Sequence, residues 1–276
     1  MDSLKDLWPG QSQELLKALH ILTRDGKLNQ DSRRKLKQVQ HLVQFLTPNL
    51  EGLKTVADLG AGKSYLGFML YDLWLNSRPE TELYAIESRA ELIQRSREIA
   101  SRSGFDRIHF VEGFIDQIDN EVANQQAGLP SELDAITALH ACDTATDDAI
   151  VFALQRKAKF IALVPCCQAE VARILDGSNP SGFSTDTLWR HPIHRREFGS
   201  HLTNVIRGLV LEAHGYKVRV TELTGWEHSM KNELILAKKI QHQNGQAKSQ
   251  LAKLLEEFPL PMRLLTRLSG LGLSPI

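Results

Sequence analysis

The sequence predicts an α/β protein, Rossmann-like, in which a mostly parallel sheet carries helices on both faces and further helical segments are added at each end. Three observations predict it. After Gly52, short apolar runs alternate with longer stretches of helical periodicity, the pattern of strands joined by crossover helices. The first of those runs, Thr55 to Leu59, passes directly into a glycine-rich turn and then a helical stretch. The second run closes on a carboxylate, Glu87, about twenty residues beyond the start of that helix, the spacing of a nucleoside-binding βαβ unit.

The elements follow in order. From Gln11 to Leu50, Leu15, Leu16 and Leu19, then Leu36, Val39, Leu42, Val43 and Leu46, recur at helical spacing on either side of Asp25-Gly26. They predict two helices, the second ending at Thr47-Pro48, because proline disfavours helical geometry in the residue before it. Arg33, Arg34, Lys35 and Lys37 cluster at the start of that helix, as a solvated face or as a phosphate-contacting patch. Strands are expected at Thr55 to Leu59, Glu82 to Glu87, His109 to Glu112, Ala135 to His140, Phe160 to Pro165, Lys217 to Leu223 and Leu234 to Lys238. Helices are expected near Ser64 to Asn76, Ala90 to Ser103, Ala145 to Lys157 and Gly199 to His214. Asp176 to Ser184 is dense in turn-forming residues and reads as a surface loop or lid. The tail beyond Gln241 offers Leu251, Leu254 and Leu255 at helical spacing before Pro259 and Pro261. The expected division is therefore an N-terminal helical segment 1–50, a main domain 51–240 and a C-terminal helical tail 241–276.

Bulk properties narrow the class. In 276 residues, 42% are hydrophobic and 24% charged, enough to bury a large core and to exclude global disorder. A formal net charge of zero removes any overall basic excess, so a nucleic-acid site has to be a local patch. Cys142, Cys166 and Cys167 are the only cysteines, and an odd number with two adjacent makes a poor disulfide framework. The first residues lack the apolar run of a signal peptide, and no stretch is long and apolar enough to span a bilayer. The reading is a soluble, cytoplasmic protein with no membrane contact.

The strongest local signal is Val56-Ala57-Asp58-Leu59-Gly60-Ala61-Gly62-Lys63-Ser64-Tyr65-Leu66-Gly67, a buried strand, a glycine turn and a helix start. Glycines let backbone approach a ligand, and a helix N-terminus presents unpaired N–H groups. Gly62-Lys63-Ser64 copies the end of a phosphate-binding P-loop, but Ala57 stands where that pattern needs glycine and Asp58 would repel phosphate. A dinucleotide fingerprint needs a third glycine where Tyr65 stands. S-adenosylmethionine fits better. Asp58 attracts the ammonium of its methionine part, directly or through water, and Glu87 accepts both ribose hydroxyl protons. Gly60, Ala61, Gly62, Lys63 and Tyr65 form the expected cradle. The bland alternative is that Asp58 caps a helix and Glu87 is merely exposed.

Ligands of open α/β sheets sit beyond the carboxyl ends of the strands, so the segments after the fourth and fifth strands should face the reacting methyl. They read Leu139-His140-Ala141-Cys142-Asp143 and Val164-Pro165-Cys166-Cys167-Gln168. His140, Cys142, Cys166 and Cys167 suit zinc, yet adjacent cysteines do not readily share one ion and no CxxC pair is present. No metal is expected. Cys166 or Cys167 as a thiolate nucleophile is a second reading, and small buried packing groups a third. His140 is expected beside the cofactor. Asp143 is a candidate to orient or deprotonate an attacking atom, or to cap the helix that follows.

Several segments together resemble one family. These are Lys37-Gln38-Val39, the run from Asp58 to Leu66, the run from His140 to Asp147, Val164 to Gln168, and Ser229-Met230-Lys231-Asn232. From about Lys35 to Lys239 the chain resembles class I S-adenosylmethionine-dependent methyltransferases. The group in question includes the methyltransferase domain of the glutathione-S-transferase-C-terminal-domain-containing protein and its bacterial relatives. The resemblance implies a seven-stranded sheet with a final antiparallel strand, S-adenosylmethionine as methyl donor, and a macromolecular substrate, RNA or protein. Many such enzymes place an acid just after the third strand to hold the adenine amino group. The segment here reads Glu112-Gly113-Phe114-Ile115-Asp116, with Phe114 as a stacking ring and Asp116 or backbone groups as the reader of the adenine edge.

The densest positive stretch runs from Trp189 through His191, His194, Arg195 and Arg196 to His201. It suits an RNA partner, with phosphates on the cations and a base on Trp189, or else a solvated loop. Nothing points to DNA. The expected function is an RNA methyltransferase working by direct transfer. A protein or small-molecule methyltransferase and a non-catalytic donor-binding scaffold are the alternatives.

Overall fold

The computed structural model describes residues 6–118, 128–139, 143–165, 168–177, 184–223 and 233–276. Two capped helices open the chain. In α1 (Gln13–Ala18) the Ser12 hydroxyl accepts from the Leu15 N–H, and in α2 (Gln30–Leu50) the Asn29 side chain accepts from the Ser32 N–H. The helix α2 does not stop at Thr47-Pro48 as its sequence suggests but continues to Leu50. Proline there removes one hydrogen bond in the last turn, about 1 kcal/mol net. Continuing buries Leu50 completely, worth about 2 kcal/mol, so packing outweighs the local preference.

Beyond Gly52 come β1 (Thr55–Leu59), α3 (Tyr65–Leu73), β2 (Glu82–Glu87), α4 (Ala90–Ser103), β3 (Ile108–Glu112), β4 (Ala135–Ala138), α5 (Thr144–Gln155) and β5 (Phe160–Leu163). After them follow α6 (Glu170–Gly177), α7 (Pro192–Ala213), β6 (Tyr216–Glu222), β7 (Glu233–Lys239), α8 (Gly245–Glu257) and α9 (Arg263–Gly270). All seven expected strands are present, joined in one sheet of order β3-β2-β1-β4-β5-β7-β6. β1 to β5 pair in parallel, while β7 runs antiparallel to both β5 and β6. The strand order reverses between β1 and β4, which places the ligand crevice at the carboxyl ends of those two strands.

Strand side chains alternate between two cores. Val56, Leu83, Ala135 and Phe160 pack on one side with Leu36, Leu46, Phe68 and Ile99, residues of α2, α3 and α4. Ala57, Ile136 and Ile161 pack on the other with Phe152, Ile206, Leu251, Leu264 and Leu268, residues of α5, α7, α8 and α9. The terminal helical segments thus complete the two layers rather than standing apart from them.

Three further helices differ from the reading of the sequence. The helix α7 begins at Pro192, whose fixed φ suits a first helical position, and not at Gly199. Gly199 lies in its second turn, where it passes α6 so closely that a Cβ would lie 2.8 Å from the Ala172 nitrogen. The short helices α6 and α9 escape the periodicity because each has only eight residues. The start of the expected loop at Asp176 is instead the end of α6, and 178–183 lie outside the described residues. Among the described residues no helix is long and apolar enough to cross a membrane.

One buried ion pair ties α5 to α7. Arg207, only 1% exposed, donates from Nε to Asp147 Oδ1 at 2.7 Å, from one terminal nitrogen to Asn204 Oδ1 at 3.1 Å and from the other to the Asp143 carbonyl at 2.8 Å. Asn204 in turn donates to Glu233 at 2.9 Å, at the start of β7.

Candidate functional site

At the reversal of strand order the structure opens a cleft of about 800 Å³, within the range of roughly 300–1,000 Å³ usual for small-molecule sites. Its floor is the turn between β1 and α3. Gly60 and Gly62 both have positive φ, 67° and 58°, which lets the turn double back without the penalty a side chain would incur. The Ala61 N–H donates to the Ile86 carbonyl at 2.9 Å and the Gly62 N–H to Glu87 Oε2 at 2.8 Å, so the end of β2 holds the turn. A Cβ on Gly60 would meet no atom within 4 Å, so the backbone there borders open space.

Two carboxylates flank the turn in opposite electrostatic states. Asp58, at the end of β1 and 2% exposed, accepts from the Thr137 hydroxyl at 2.9 Å through Oδ1. Its Oδ2 has no hydrogen-bond partner among the described residues. Burial raises its pKa from the ordinary 3.8 to about 7; the Thr137 bond opposes the shift and the charge of Glu87 adds to it. Burial also pushes Glu87 up, but the Arg89 side chain and the N–H groups of Arg89 and Gly62 outweigh it and hold the carboxyl below its ordinary value. One acid therefore shares its proton near neutrality while its neighbour stays ionised.

The other expected cofactor residues are gathered as well. Ala61, Lys63, Tyr65, Phe114 and Asp116 all line the cleft. Phe114 is 56% exposed, a large apolar ring left open to a planar ligand. Asp116 pairs with Arg263 of α9 at 3.0 Å. His140, Cys142, Cys166 and Cys167 lie outside the described residues, among which no cluster of three or more metal-ligating side chains occurs.

Asp143 is engaged elsewhere. Its side chain leaves α5 uncapped and instead accepts from the N–H groups of Ala169 at 2.9 Å and Glu170 at 3.2 Å, and from Arg173 at 2.8 Å. Burial raises its pKa, but these donors together bring it below the ordinary value. With φ of 50°, the Asp143 backbone is in a region rarely taken by residues with a side chain, held there by these bonds and by Arg207 on its carbonyl.

The stretch Trp189 to His201 forms the approach to α7 and its first turns, and none of it borders the cleft among the described residues. The Trp189 ring is stacked on Phe198 at 5.3 Å and meets Phe258 edge-on at 6.0 Å. Arg195 pairs with Asp176 at 2.6 Å and Arg196 with Glu197 at 2.8 Å.

The N-terminal helix supplies what the sequence reading left out. Lys35, Gln38 and Val39 of α2 line the cleft, the Lys35 ammonium lying 4.6 Å from the centre of the Tyr65 ring. Arg89, Ile115, Leu139, Val164 and Leu223 complete the wall. The basic run from Arg33 to Lys37 and the Lys37-Gln38-Val39 segment of the family resemblance were the signals of this contribution.

A family described as a methyltransferase domain matches residues 34–174. The glutathione S-transferase C-terminal domain-containing protein of Xenopus laevis is 24% identical over 78% of this chain and 36% of its own length. The chain thus spans about a third of the curated relatives it matches. Among solved structures, an rRNA methylase from Streptococcus thermophilus is similar at 12% identity, covering 74% of this chain and 97% of that one with a TM-score of 0.47. An SAH-bound methyltransferase of Podospora anserina is similar at 14% identity, covering 87% and 92%, also with a TM-score of 0.47.

Proposed function

Since the chain belongs to the methyltransferase-domain family, we propose that it is an S-adenosylmethionine-dependent methyltransferase that modifies RNA by direct methyl transfer. The observation that carries the donor assignment is the pair of carboxylates on either side of one glycine turn. Asp58 offers to an ammonium group the oxygen that no described residue bonds. Glu87, held ionised with Oε1 taken by Arg89 and Oε2 accepting from Gly62, keeps room on Oε2 for a ribose hydroxyl, and the space over Gly60 admits the ligand between them. When bound, the donor supplies an electrophilic methyl on a sulfonium. The chain's own part is to orient the reactants and exclude water, the main sources of rate in a transfer without a covalent intermediate. Phe114 stacks the adenine and Asp116 faces its amino edge. In sequence, His140 follows β4 and Cys166 and Cys167 follow β5, the strands that end at this crevice; the imidazole is assigned to the cofactor and the thiols to the acceptor. Asp143, already accepting from three donors and held below its ordinary pKa, is a poor base and positions the turn before α6.

For the acceptor, Lys35 and Lys63 set positive charge on the cleft wall, the feature a phosphodiester recognises. Arg190 on the approach to α7 adds an exposed cationic group, and His191 and His201 add exposed imidazoles beside it and within the helix. A protein or small-molecule acceptor is the second reading, favoured by the zero net charge and by the ion pairs that occupy Arg195 and Arg196. Nucleoside mass spectrometry on RNA from cells with and without the gene separates the two. A methylated nucleoside that disappears with the gene is expected; RNA of unchanged methylation would refute the RNA assignment.

Glu87→Gln is expected to weaken binding of the demethylated donor by about tenfold or more, the worth of a hydrogen bond to a charged group. Isothermal calorimetry measures it, and an unaltered dissociation constant would remove Glu87 from the ribose site.

A further inference from the structure

The C-terminal helix touches the cleft wall at Asp116. Met262, Leu264 and Leu268 are completely buried, which seats α9 against the core beside α5. Its first residue, Arg263, donates its backbone N–H to Glu170 at 2.8 Å. The Arg263 guanidinium bridges two acids with one terminal nitrogen, lying 3.0 Å from Asp116 Oδ2 and 3.2 and 3.3 Å from the two oxygens of Asp148. Arg267, one turn further on, also pairs with Asp148, and Asp148 is 7% exposed and fixed on α5. Asp116 thus belongs to the cleft wall through its own loop, yet its carboxylate is held by a residue 147 positions away.

We propose that Arg263 is a positioning residue for adenine recognition: by taking one oxygen of Asp116 it presents the other to the donor's exocyclic amino group. This rests on the reading of the cleft as a donor site. An ionised carboxylate is acceptor-only, so with Oδ2 given to Arg263 the remaining oxygen selects an N–H donor and repels a carbonyl at the same ring position. The Arg263–Asp116 pair is about 40% exposed on each side, and pairs so wetted contribute little to stability. Cutting it therefore releases Asp116 without unseating α9, which its apolar face and Arg267 still hold.

The discriminating probes are S-adenosylhomocysteine and its 6-oxo analogue, S-inosylhomocysteine, titrated into the full chain by calorimetry. The wild-type chain is expected to prefer the amino form by about tenfold. Asp116→Asn should bring that preference close to unity, Arg263→Ala should reduce it severalfold by leaving the carboxylate unoriented, Arg263→Lys should restore part of it, and Arg267→Ala should keep it whole. An Arg263→Ala protein with the wild-type preference overturns the inference. So does an Arg267→Ala protein that loses the preference equally, because the effect would then be one of helix docking. A wild-type chain that binds both nucleosides alike overturns the inference but leaves the donor site standing, whereas one that binds neither overturns the donor site itself.

Discussion

Asp58→Asn is expected to cost about a hundredfold in affinity for the methyl donor, the scale of losing one partner of a buried charge pair, without harm to the empty protein. Asparagine keeps the shape and still accepts the Thr137 bond through its oxygen. What disappears is the negative charge aimed at an ammonium group. The free protein gains instead. The acid's pKa is 3.8 ordinarily and about 7 when folded, so between those values the native state holds a proton that the unfolded chain has released. Stability then falls as pH rises through that window, and the asparagine variant escapes the fall. Donor binding has the opposite dependence, because Asp58 must lose its proton to meet the ammonium. Affinity of the wild-type chain should climb as pH rises toward and through 7 and be accompanied by proton release. Calorimetry across that range in two buffers of different ionisation heat reads both quantities. Wild-type affinity in the variant, or an acid limb that survives it, would disprove the role.

Arg207→Met should destabilise the fold by about 3–5 kcal/mol, the cost of leaving one member of a buried pair uncompensated. Arg207 and Asp147 are each 1% exposed in their side chains. Burial lifts Asp147 to about 6 even though Arg207 opposes the shift. Without the guanidinium the folded-state value rises further, so the stability lost with rising pH extends to higher pH and the deficit is greatest above 7. Arg207→Met combined with Asp147→Leu removes both charges and should recover most of the loss. Urea denaturation at pH 5 and pH 8 tests this; a single variant as stable as the wild-type chain at both would contradict the assigned burial. The Arg207 bond to the Asp143 carbonyl adds a functional consequence, since it fixes the backbone that leads into α5.

The strands and the glycine-turn end of the cleft were legible because their signals are local. Hydrophobic alternation within β1, the glycines that follow it and the acid closing β2 lie within 33 residues, from Thr55 to Glu87. Short-range chemistry is enough to align them. The same locality explains the errors. Pro48 forecast a helix end that the burial of Leu50 overrode, and Gly199 suggested a helix start where it marks a close crossing with α6. Trp189, offered by the sequence as a ring for a base or as part of a solvated loop, has Phe198 stacked against it, a contact no local pattern announces.

By itself the sequence determined the alternation of strands and helices, the glycine turn and the identity of the two carboxylates beside it. Only the tertiary structure decided that α2 walls the cleft with Lys35 and Gln38, that Asp143 braces α6 rather than capping α5, and that Arg263 grips Asp116. The physical reason is range. Periodicity and turn preferences act over a few residues, whereas these contacts join side chains that meet only after both hydrophobic layers have closed on the sheet.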